Sequence, residues 1–151
     1  MSLENDRNEP LSCKLKMLWF SKCANNVRLM IFFPWCVQVL PNDREFRDAA
    51  IEAGEVVWKS GLVQKVGLAD GAAGNAYAFL SLYRLTGESI YEDRAKAFAT
   101  CLYHDQRNAT TSSPSTGADH AYSLFQGLAG VACLWFDLLA PEKSKFPGYE
   151  I

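Results

Sequence analysis

The chain has 151 residues, of which 49% are hydrophobic and 13% aromatic, and its formal net charge is −2. That length and composition suit one folded domain with a moderate core and exclude a globally disordered chain. A near-neutral charge without a basic run excludes a polyanion-binding surface, so nucleic acid is not an expected partner.

Residues 1–40 do not read like the rest. Polar Met1–Pro10 gives way to apolar residues with neither helical nor alternating period. Met30–Pro41 (MIFFPWCVQVLP) has the composition of a strand or buried segment, yet nothing downstream offers it a strand partner. The apolar run Leu29–Leu40 is interrupted by Pro34 and Gln38 and is too short to span a bilayer. It also begins too far from Met1 for a secretory signal. This stretch stands as an atypical, sticky leader that needs a partner surface.

From Asn42 the pattern becomes helical. Asn42 or Asp43 can cap, Glu45 sits in the first turn, and Phe46, Ala49, Ala50, Ala53, Val56 and Val57 form one apolar stripe with Trp58 beside it. Arg44, Arg47, Asp48, Glu52, Glu55 and Lys59 take the other face, and Ser60-Gly61 stops the helix. Next comes Gly67–Gly87 (GLADGAAGNAYAFLSLYRLTG), a Gly71-x-x-Gly74 turn leading a helix that is apolar on most of its circumference and so expected to be buried on nearly all sides.

Thr86-Gly87 closes that helix, and Glu88-Ser89 opens another with Tyr91, Ala95, Phe98, Ala99 and Leu102 inward and Glu92, Asp93, Arg94 and Lys96 toward water. Gln106–Asp119 (QRNATTSSPSTGAD) reads as a loop. A second turn, Gly127-Leu-Ala-Gly130, then leads Val131–Leu139, and a tail runs from Pro141 to Ile151. Setting Gly71 on Gly127 and Gly74 on Gly130 places Phe79 on Trp135, Leu80 on Phe136 and Leu82 on Leu138. The two amphipathic helices also match, with Ala50 on Ala95, Ala53 on Phe98 and Trp58 on Tyr103.

A half-exposed helix alternating with a buried one is the pattern of an all-α, α/α barrel with an outer ring around an inner ring. Two such pairs cannot close a ring, so the fold is either part of a larger toroid or leans on another chain. The five cysteines (Cys13, Cys23, Cys36, Cys101 and Cys133) are odd in number, widely spaced and free of Cys-x-x-Cys, which points to reduced thiols and a cytoplasmic setting. Cys101 and Cys133 lie on apolar helical faces and are expected in the core.

Taken together, Gly67–Gly87, Tyr122–Gly130 and Phe146-Pro-Gly-Tyr-Glu150 resemble the C-terminal end of lanthionine synthetase C-like (LanC-like) proteins, closest to the plant branch. The resemblance covers about Asn42 to Ile151 and implies the last two inner–outer helix pairs of a seven-pair toroid. Residues 1–40 do not match the preceding repeat, where a Trp-Cys-His-Gly type of motif is expected. Bacterial members are zinc enzymes that add a cysteine thiol to a dehydroamino acid within a peptide. Eukaryotic members are linked to glutathione and its addition to dehydroamino acids.

Zinc in the family is held by two cysteines and a histidine, and it lowers the thiol pKa and stabilises a thiolate nucleophile. The last two ligands form an adjacent Cys-His pair, and here those positions are Ala69 and Asp70. Cys36 follows Trp35 but is followed by Val37, with no His-Gly, so it does not restore the motif. No zinc or other cofactor is therefore expected on this chain.

For a thiol or glutathione-like ligand, the pocket candidates are Lys65, Asp70, Gly71, Gly74, His120 and Gln126. Gly71 and Gly74 place helix N–H groups where an anion is favoured, or else merely allow a tight turn and close helix approach. Lys65 can meet a carboxylate or remain a loop lysine. Asp70 can face a ligand or cap its helix, and capping is preferred. His104 and His120 are the two groups that titrate near neutrality, and His120 sits where relatives often carry arginine. Gln126 replaces a glutamate common in relatives and so removes an acid or base.

Three functional expectations follow. One is a LanC-like fragment of enzymatic ancestry without a competent zinc site. Another is a non-catalytic signalling or binding module, self-associating or peripheral to the plasma membrane. The last is a remnant that does not fold stably.

Overall fold

The computed structural model describes residues 44–61, 65–69, 71–109 and 122–148. Four helices account for most of them: α1 (Arg44–Ser60), α2 (Ala72–Thr86), α3 (Ser89–Ala109) and α4 (Leu128–Asp137), with a single 3-10 turn at Pro141–Lys143. Among the described residues there is no strand, and the chain is all-α. The leader reading falls outside the described residues. So do the expected caps of α1 and the loop from residue 110 onward. α3 continues to Ala109, into the start of the segment expected as loop.

The molecule is built around α2. It packs against α1, α3, α4 and the 3-10 turn, and its residues from Ala72 to Leu82 are all buried. Its composition explains both facts: Ala and Leu favour helix, and no charged side chain interrupts the first three turns. Gly87 ends it in the left-handed region at φ 75°, donating its N–H to Tyr83 O at 2.7 Å. Thr86 Oγ1 donates to Leu82 O at 2.8 Å and accepts the Glu88 N–H at 3.2 Å. The turn into α3 is thereby hydrogen-bonded from both sides.

Phe79, fully buried, is the hub of the core. Phe98 and Tyr91 of α3 lie nearly parallel to it, with ring centroids at 5.7 and 6.4 Å, and Trp58 of α1 meets it edge-on at 6.1 Å. Each such ring pair is worth about 1 kcal/mol beyond burial. All five residues expected on the inward stripe of α3 are buried. Burial, reinforced by Glu88, pushes the Tyr91 phenol above its ordinary range, so its hydroxyl stays neutral.

Three side chains depart from the periodic pattern. Arg94, expected in water, lies over Trp58 at 5.1 Å and pairs with Glu55 of α1, which is half-buried as a result. A guanidinium gains from an aromatic face and a carboxylate together, and no single-helix period foresees that. Cys101 is exposed and Cys133 half-buried, and both are free thiols, so neither is the core residue expected. Cys101 lies about 100° round α3 from the middle of its buried stripe, on the flank.

Helix α4 is the larger surprise. Its mean composition is more apolar than that of α2, yet only Gly130, Val131 and Leu134 are buried. It is anchored by the phenolic O–H of Tyr77, which donates to Asp137 Oδ2 at 2.7 Å. The following segment returns to α2, where buried Phe146 meets the Tyr77 ring edge-on at 5.3 Å. The expectation of a packed tail holds at Phe146, and residues 149–151 lie outside the described residues.

Candidate functional site

The two Gly-x-x-Gly turns lie side by side. The Ala69 N–H, in the first turn, donates to Phe125 O in the second at 2.9 Å. Each turn is built the same way. Gly71 and Gly127 occupy the cap positions of α2 and α4 in extended backbone, neither with a side-chain cap. A Cβ on Gly74 would overlap the Leu68 carbonyl oxygen, and one on Gly130 would overlap that of Leu124. Both pairs are six residues apart, so glycine is required for the same close approach in both copies.

The first turn spends its donors internally. Ala72 N–H donates to Lys65 O at 2.8 Å, Gly74 N–H to Gly67 O at 3.3 Å, and Asn75 N–H to Gly71 O at 3.1 Å. Two of the leading N–H groups of α2, those of Ala72 and Gly74, thus already have partners in the loop, which favours the tight-turn role of Gly71 and Gly74. In the second turn, Gly127 N–H donates to Ser123 O at 2.9 Å and Gln126 N–H to Ser123 Oγ at 3.3 Å.

Gly71 and Gly74 are buried within the turn. Lys65 is exposed beside them, its carbonyl oxygen in the place a Cβ on Gly71 would take. Gln126 is exposed in the second turn. Ala69 is half-buried between the turns and contributes its backbone, not its methyl group. Asp70 and His120 lie outside the described residues, and the cap position that Asp70 was expected to fill is occupied by Gly71. Among the described residues, no group of three or more His, Cys, Asp or Glu side chains is placed to hold a metal ion.

Sequence patterning overlooked three residues here. Asn75 is buried in the first turn of α2, with Nδ2 packed against Gly61 at the end of α1. A polar side chain on an otherwise apolar helix is the signal that marks it. Tyr77 and Asp137 pair across 60 residues, and only their types, a phenol and a carboxylate on two apolar helices, hinted at it.

A family profile described as lanthionine synthetase C-like protein matches residues 29–151. The LanC-like protein GCL1 of Arabidopsis thaliana is 68% identical over 114 residues, covering 76% of this chain and 26% of the relative. A zebrafish (Danio rerio) protein named glutathione S-transferase LANCL1 is 40% identical over 110 residues, covering 72% of this chain and 26% of the relative. The chain thus spans about a quarter of the length of both.

Proposed function

This chain belongs to the lanthionine synthetase C-like family, and on that footing we propose that it is a LanC-like unit without zinc-assisted thiol chemistry, whose remaining capacity is to bind. In the family arrangement it corresponds to the last two inner–outer helix pairs of a toroid. The observation that carries the reading is Ala69. The position where the family pattern has a cysteine ligand here holds a methyl group with no lone pair, and its backbone is committed to Phe125. Zinc needs three or four donors in tetrahedral array. With that donor gone, the residues present do not fit the metal, and no thiolate activation is derived from them.

The ligand we assign is a thiol peptide of the glutathione class, in keeping with the name of the zebrafish relative. Lys65 would meet a carboxylate of such a ligand at the rim, while Gly71, Gly74 and Gln126 form the turns beneath, with Asp70 and His120 as further candidates. The proposal places the chain in the cytoplasm, with peripheral contact at the plasma membrane as the alternative. Its basis is the odd, widely spaced cysteine set, of which Cys101 and Cys133 are free thiols.

The test pairs elemental analysis with calorimetry. Purified chain should carry far less than one zinc per molecule, and titrated glutathione should give saturable heat that Lys65→Ala weakens about threefold, the scale of one exposed ion pair. Stoichiometric zinc, lost on Asp70→Ala, would restore the enzymatic reading. Heat unaffected by Lys65→Ala would remove Lys65 from the site, and no heat at all would remove the ligand.

A further inference from the structure

We draw no further inference here: the strongest candidate, the side-chain cluster between α1 and α3 in which Arg94 lies over the Trp58, Phe79 and Tyr91 rings and pairs with Glu55, belongs to the core packing already described and nothing in it points to a ligand.

Discussion

Helices α2 and α4 begin alike and end up in opposite environments. Both follow a Gly-x-x-Gly turn, both have an extended glycine at the cap, and in both a glycine lies against the carbonyl six residues earlier. Yet Phe79 is fully buried and its counterpart Trp135 is 41% exposed. The turn is a local object, decided by the clearance between two stretches of backbone. Burial is not local, since it depends on which helices stand on either side. Among the described residues, α2 has an amphipathic helix on each flank and α4 has only α3.

The sharpest way to break this comparison is to delete the matched aromatics. Phe79→Ala should cost about 4 kcal/mol, because it removes a fully enclosed ring and leaves a cavity bounded by Trp58, Tyr91 and Phe98. Trp135→Ala should cost less than about 1 kcal/mol in the monomer, since much of that side chain already faces water. Urea unfolding followed by circular dichroism measures both. Equal losses would mean that the two helices are equally buried in solution.

Adding a methyl group at the matched glycines comes next. Gly74→Ala should cost roughly 2 kcal/mol or more, because the new Cβ meets a carbonyl oxygen held in the core. Gly130→Ala meets the Leu124 carbonyl and the Leu68 side chain, but Leu124 and Phe125 are only half-buried and Gln126 is exposed, so this turn can shift more easily than the first. About half the loss is expected there. The two melting curves, run side by side, decide the order.

The last comparison concerns the link between the helices. Tyr77→Phe removes the hydroxyl that satisfies Asp137 and should cost about 1 kcal/mol. Amide hydrogen exchange should then quicken in α4 more than in α2, because α2 retains its contacts with α1 and α3. Uniform quickening along both helices would show that the bond supports the whole core instead.

Much of this architecture was legible in the residues. A 3.6-residue period places Tyr91, Ala95, Phe98, Ala99 and Leu102 inward, and all are buried. The glycine pairs at 71/74 and 127/130 marked both turns, and their equivalence extends to the backbone contacts beneath them. Around the candidate site the sequence reached less far. It named Lys65, Gly71, Gly74 and Gln126 at the two turns, but not the Ala69 N–H bond to Phe125 that joins them.

What the sequence by itself determined, then, is whatever lies within a few residues along the chain. Helix phase, the closing glycine at 87 and the clearance at Gly74 are set by neighbours one or two turns away. Only the tertiary structure decided that Arg94 leaves water for Trp58 and Glu55, that Cys101 faces outward, and that Tyr77 reaches Asp137. It also decided which residues of the apolar helix α4, Gly130, Val131 and Leu134, are buried among the described residues. Each of those outcomes depends on a second element brought alongside by packing, and the period of a single helix carries no record of what stands next to it.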